Sequence, residues 1–398
     1  MNKKYNINRG HSLWIIIFII IIIPIHLSYN SINDFAFDVI HYPSTDGVYL
    51  FTLPISFFFI IPFIILGLLN FYKDLEIFLL LAFTTISIVI SVIYKDFLHL
   101  LLLGKITIPI LTILGFEIFF KKKFSHIEKK HIYHFIKIYN YKIALIFTII
   151  FFISIMSRFY LDSPYNWLIN KISIFDFHQY FPLIFILLLG VLASNKQKYV
   201  FLLVYILSFY LSTWTANSTF LILLVSFGTY YVLNFLGFSK KNLVFLSKIF
   251  IILTFLILFL FPFFTFYFLS EITILDLPRN ILNRFILIDR FFTNLTIFEF
   301  LTPIRISSEI VYRYYHNELL VIISALGIIG ASLFYFVILK RIWFISKYFP
   351  HISVAISLFS LLSGISLTVN LHPYNFIILS FFISYYYVLS KIQSQQSL

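Results

Sequence analysis

The chain has no cysteine among its 398 residues, which excludes disulfides, thiolate metal sites and cysteine nucleophiles. Charge is scarce as well: Asp, Glu, Lys and Arg make up 11% of the sequence, where a soluble domain carries about a quarter. No six-plus-six internal similarity is visible, and the two halves differ in loop length and charge, which argues against a repeat-built transporter. What is abundant is apolar. Hydrophobic residues reach 61%, aromatic residues 21%, and mean hydropathy is +0.98. Repeated apolar runs of about 20 residues are membrane-crossing helices rather than one buried core. The expected fold is an all-α polytopic membrane protein, a single integral membrane domain over 1–398.

The pattern predicts about twelve transmembrane helices. They are Leu13–Leu27, Val48–Leu69, Ile77–Tyr94, Phe97–Phe120, Ile143–Met156, Phe181–Ala193, Tyr199–Leu211, Phe220–Phe238, Ile249–Leu269, His316–Leu339, Ile352–Leu367 and Phe376–Leu389. No small-residue cleavage site follows the first run, so it reads as an uncleaved anchor. The net charge of +13 follows topology rather than nucleic-acid binding. Of the 29 Lys and Arg, about 20 fall in segments that face the cytoplasm if the N-terminus does, and about 8 in outer loops. The basic loop Lys121–Lys142, with its seven lysines, is the strongest inner marker. Both termini are expected in the cytoplasm of a bacterial inner membrane.

Arginine breaks that pattern. Six of the eight arginines sit in outer segments: Arg158, and Arg279, Arg284, Arg290, Arg305 and Arg313 in the large loop at 270–315. Lysine would serve orientation equally well, whereas arginine is favoured where a phosphate or carboxylate is held by a planar fork. Arg305, Glu309 and Arg313 stand at i, i+4 spacing, as in surface ion pairs on a helix. Arg284 and Arg290 have no acid three or four residues away. After Pro278, well placed at a helix start, Arg279–Asn294 reads as an amphipathic helix, with Leu282, Phe285, Ile288 and Phe292 on one side. Anion binding and surface packing are both open readings of those two arginines.

Other chemistry-bearing positions are few. His316, Asn317 and Glu318 are three adjacent polar residues at the expected outer mouth of an apolar helix. Lys105 lies about 12 Å into the helix that starts at Phe97, at 1.5 Å per residue. Intramembrane charge is costly and faces a cavity or a partner. Asp34 and Asp38, one turn apart in the first outer loop, are either a divalent-metal pair or a solvated loop face.

His316-Asn317-Glu318-Leu319-Leu320, followed by Ala325-Leu326-Gly327-Ile328-Ile329-Gly330 and Leu333-Phe334, resembles the "HN-x-x-L … LG-x-x-G … LF" signature of bacterial O-antigen polymerases and ligases (the Wzy/WaaL group). In that group the signature follows a large periplasmic loop with functional arginines, the context of Arg279, Arg284 and Arg290. Asn217-Ser218-Thr219 stands where the family has an "SRT" turn, without its arginine. Leu301-Thr302-Pro303-Ile304 precedes Arg305 where the family often has Gly-x-Gly.

The resemblance implies a glycosyltransferase that polymerises undecaprenyl-pyrophosphate-linked oligosaccharide repeat units at the periplasmic face. It implies His316, Arg284 and Arg290 as catalytic groups. Arg158, Arg279, Arg305, Arg313, Asn317, Glu318 and Lys105 are the expected substrate-binding residues. No metal or other cofactor is required. The expected partners are the lipid-linked glycan, membrane lipid and a chain-length regulator, with no role for nucleic acid. The alternatives are an O-antigen ligase, a lipid-linked oligosaccharide flippase, and a metal-dependent transferase resting on Asp34 and Asp38.

Overall fold

The structure, a computed structural model, describes residues 26–28, 52–95, 97–125, 132–160, 172–173, 181–214, 218–236, 239–269, 286, 288–289, 291–293, 296–302, 317–362, 364 and 373–395. In chain order the helices are α1 (Ile55–Leu68), α2 (Leu75–Ile93), α3 (Phe97–Phe124), α4 (Ile132–Tyr160), α5 (Phe185–Ser194), α6 (Lys198–Trp214) and α7 (Ser218–Phe235). They continue with α8 (Lys240–Leu269), the short α9 (Ile297–Leu301), α10 (Glu318–Ser346), α11 (Pro350–Ser357, running on as a π turn Leu358–Leu362) and α12 (Pro373–Ser394). A small antiparallel ribbon, β1 (His26–Ser28) between β2 (Thr52–Pro54) and β3 (Ile172–Ser173), is the departure from helix among the described residues.

Six helices are long and apolar enough to cross a membrane, and five shorter apolar helices accompany them among the described residues. A helix lies at each of the expected sites from the second onward. Of the first expected span, only its last two residues are described, and they belong to β1. Several helices outrun the hydrophobic signal. α3 continues through Lys121–Lys123, and α4 begins at Ile132. The expected basic loop Lys121–Lys142 is therefore mostly helix: hydropathy marks the lipid-buried part of a helix, while the ladder of backbone hydrogen bonds continues into water. Likewise α4 reaches past Arg158, placing that residue in a helix rather than in a loop.

The bundle is held by close helix approaches. α3 packs lengthwise against α1 and α12, α5 against α11, and α10 against α2, α8 and α12. Where α1 crosses α3 the backbones nearly touch. A Cβ on Gly67 would lie 2.1 Å from the Leu111 carbonyl oxygen, and one on Gly115 would lie 1.9 Å from that of Phe63. With no hydrophobic drive between helices in lipid, such small-residue contacts supply the van der Waals packing. The α3–α12 interface is parallel and in register. Ser380 Oγ donates to the Pro109 carbonyl (3.4 Å) and Ser384 Oγ to that of Ile113 (2.7 Å).

α10 is two helices. Gly327 has φ 66° and ψ 175°, a region open essentially to glycine alone. The Tyr335 hydroxyl donates to Glu318 Oε1 at 2.9 Å, although in a straight helix these residues would stand about 25 Å apart. The limb Glu318–Leu326 therefore folds back along the limb Ile328–Ser346 as a hairpin. This corrects the expectation of one continuous helix from His316. Glycine is common in membrane helices, so nothing local in the sequence marks this one as a reversal.

Candidate functional site

The hairpin tip is fixed by partners from three other elements. A helix end leaves carbonyls without intrahelical donors, and here the Ala325 carbonyl accepts from Ser87 Oγ of α2 and from His99 Nε2 of α3, both at 3.0 Å. Since a carbonyl only accepts, Nε2 carries a proton, and Nδ1 lies 2.7 Å from Ser91 Oγ. The third element is α9. Its first turn closes a capping box: the Glu299 amide donates to Thr296 Oγ1 (3.2 Å) and the Thr296 amide donates to Glu299 Oε2 (3.1 Å). Its last residues meet the turn so closely that a Cβ on Gly327 would lie 2.7 Å from the Thr302 carbonyl. Glycine is required there twice, by φ and by contact. Gly330 faces Leu326 across the bend, where a Cβ would meet that of Leu326 at 2.4 Å. The two glycines of the signature thus serve the reversal itself.

The reversal moves the His-Asn-Glu motif. Asn317 and Glu318 are buried, at 3% and 0% exposure, well below the expected outer mouth. Tyr335 lies about 12 Å along the second limb from Gly327. Its hydrogen bond holds Glu318 at that distance from the tip, inside the helix bundle. Asn317 caps the first limb, its Oδ1 accepting from the Leu320 amide at 3.1 Å. Gly364 packs beside the motif. A Cβ there would lie 3.6 Å from Glu318 Cβ and 3.3 Å from Leu258 Cδ1 of α8.

Two further polar groups share that depth. His99 is level with the tip of the hairpin, and Lys105 lies about 9 Å deeper along α3, within about one helical turn of the level of Glu318. Lys105, Pro109 and Ile113 form one i, i+4 stripe. Ser380 and Ser384 meet the last two of these, so the same offset sets Lys105 against the first turn of α12, level with Phe376. One residue before it, Asn375 is fully buried, and both its amide atoms lack a hydrogen-bond partner among the described residues. The helix α12 begins here, with the positive end of its dipole at this level. Lys105 is half-buried. Helix register thus places a carboxylate, an ammonium and a buried amide at similar levels of an apolar bundle. Buried polar groups in lipid are expensive, and by default they mark a functional site.

Glu318, Asn317 and Lys105 are thus brought to one depth in the bundle. His316, Arg279, Arg284, Arg290, Arg305 and Arg313 lie outside the described residues, as do Asp34 and Asp38; for Arg158 only the helical backbone is described. Of the expected amphipathic helix, the described residues between 286 and 293 are helical, with Ile288 and Phe291 buried and Asp289 exposed. Phe292 packs on Phe263 and Phe266 of α8, so this piece lies at the C-terminal end of α8. Tyr335, Asn375 and Gly364 were not singled out from sequence. Of these only Asn375 carried a signal, as an amide at the threshold of the last apolar run.

The opposite end of the bundle holds the remaining buried charge. Arg341, 1% exposed, donates through Nε and Nη2 to Glu117 and through Nη2 to Asp74 Oδ2 at 2.9 Å. Its Nη1 reaches the Val337 carbonyl at 3.0 Å, and Tyr387 lies beneath it with its ring centroid 5.5 Å away. Lys340 pairs with Glu76. Burial alone would raise the Asp74 carboxyl; hydrogen bonding with Glu76, the Arg341 charge and the Ile77 amide hold it below its ordinary value. Glu117 was a sequence signal left unused, an acid inside an expected span. Compared with protein-family models, with curated proteins and with solved structures, the chain matches none.

Proposed function

We propose that this chain is an integral-membrane glycosyltransferase that polymerises undecaprenyl-pyrophosphate-linked oligosaccharide repeat units on the outer side of a bacterial inner membrane. The reading takes twelve spans, with both termini and the lysine-rich end in the cytoplasm. The observation that carries it is the common depth of Lys105, Glu318 and Asn375 beside a hairpin formed by the very residues of the polymerase-like signature. A lipid-linked substrate enters from the bilayer, so a site for its pyrophosphate belongs within the outer leaflet rather than in open water.

The acceptor hydroxyl attacks the anomeric carbon of the donor unit, its proton passes to a base, and the bond to pyrophosphate breaks, releasing undecaprenyl pyrophosphate. His316, next in sequence to Asn317, is the base of choice, since a histidine accepts a proton at neutral pH. Lys105 and the loop arginines neutralise the leaving group. Buried Glu318 orients the polar cluster through Tyr335.

The test is reconstitution of the purified chain in liposomes with a lipid-linked repeat unit as sole substrate. Growth of a ladder of repeat lengths supports the polymerase. Transfer to a lipid A core acceptor without a ladder identifies a ligase, and movement of intact donor between leaflets without new bonds identifies a flippase. Arg284→Lys and Arg290→Lys should fail nearly as badly as the alanine variants, because lysine keeps the charge and loses the bidentate fork. Full ladders from both lysine variants would remove the arginine clamp.

A further inference from the structure

The lysine-rich end contains a half-open cavity of about 580 Å³ between the α1–α2 turn, α3, α10 and α12. Its polar rim holds Lys73, Lys121 and Lys391, together with Asp74 and Glu117. The acids are already engaged, since Arg341 bridges Asp74 and Glu117 from behind the wall. The lysines take no part in that bridge. Among the described residues none of the three forms an ion pair: Lys73 Nζ donates to Asn70 Oδ1 at 2.6 Å, and Lys391 lies 4.4 Å from the Tyr387 ring centroid. With Arg341 counted, the site carries a surplus of two positive charges. Below this rim the wall turns apolar, through Leu114, Ile118, Phe344 and Val388.

A cationic rim above an apolar wall, set between helices where the membrane meets water, has the chemistry of an anionic lipid. The phosphate meets the lysines and the acyl chains follow the apolar wall. A zwitterionic headgroup would bring a second cation against the same lysines. A soluble phosphate would leave the apolar wall unused. We infer that this cavity is a binding site for an anionic glycerophospholipid of the leaflet on the lysine-rich side, its phosphodiester held by Lys73, Lys121 and Lys391. The inference needs only that the chain sits in a bilayer and is independent of the polymerase reading. By the excess of lysine at this end, that leaflet is the inner one.

The experiment uses the full chain purified in detergent, with bound lipid read by native mass spectrometry after addition of phosphatidylglycerol, phosphatidylcholine or both. The wild-type chain should retain phosphatidylglycerol over phosphatidylcholine, and excess glycerol phosphate should not displace it. Lys73→Gln/Lys121→Gln/Lys391→Gln should lower that preference to the level of detergent-exchanged background. Lys122→Gln/Lys240→Gln/Lys241→Gln removes the same charge from the basic end outside the cavity and should keep the preference. Ile118→Trp, which fills the cavity with every charge in place, should lose the bound lipid and guards against a lysine variant that fails to fold. The inference is overturned if the cavity variants keep the preference or the control loses it equally. Displacement by glycerol phosphate would overturn it too, by pointing to a soluble phosphate.

Discussion

The two ends of the bundle solve the problem of polar groups in lipid in opposite ways. At the lysine-rich end charge is matched with charge: one guanidinium holds two carboxylates, and Lys340 takes Glu76. At the other end the described contacts are hydrogen bonds between neutral groups and a buried acid. A glycine reversal, a capped carbonyl and a tyrosine hydroxyl hold Glu318 inside the bundle, and the buried Asn375 amide has no partner among the described residues. The first arrangement satisfies its buried acids and leaves its surplus charge on the rim lysines. The second is held by a backbone reversal and neutral hydrogen bonds around a buried acid.

That contrast can be broken from either side. The largest effect is expected at the charged end. Arg341→Met leaves Glu117 and Asp74 facing each other unpaired and should cost about 3–5 kcal/mol. The triple change Arg341→Met/Glu117→Gln/Asp74→Asn should recover most of it. Thermal midpoints of the purified chain in detergent measure both, and no recovery would mean that the arginine acts through packing instead.

Next comes Gly327→Ala, which forces a side chain into a glycine-only conformation against the Thr302 carbonyl and should cost about 2–3 kcal/mol. Gly104 has nothing within 4 Å of an added Cβ, so Gly104→Ala should leave stability unchanged or raise it slightly. Equal midpoints for the two variants would dismiss the hairpin.

A smaller loss, about 1–2 kcal/mol, is expected for Tyr335→Phe, which deprives the buried Glu318 carboxylate of a donor. If the two-ends contrast holds, ladder formation should fall further than the midpoint predicts, whereas Lys340→Gln should spare both. The Lys340–Glu76 pair has its lysine 46% exposed, so its loss should stay below about 1 kcal/mol. A Lys340→Gln variant as damaging as Arg341→Met would show that burial does not separate the two pairs.

How much of this was legible beforehand depends on the range of the interaction. The helices from Val48 onward could be located from sequence because hydropathy is a sum over neighbours. Their ends could not, as Lys121–Lys123 and Lys240–Lys241 show: basic side chains at a helix end resemble a loop in composition. Glu318 and Lys105 were marked as unusual by being polar within apolar runs. Their shared depth was not readable, because it depends on the register of α3 against α10 and α12, set by contacts more than two hundred residues apart.

By itself the sequence determined the class of protein, the run of apolar helices and the segregation of lysine from arginine, since each follows from the transfer of side chains between water and hydrocarbon. Arg341 counted there merely as one more basic residue on the inner side. Only the tertiary structure turned it into the centre of an ion-pair network and folded Glu318 back into the bilayer. A single glycine dihedral and the packing of α9 against it decide where the motif lies, and neither is a property of the residues taken one at a time.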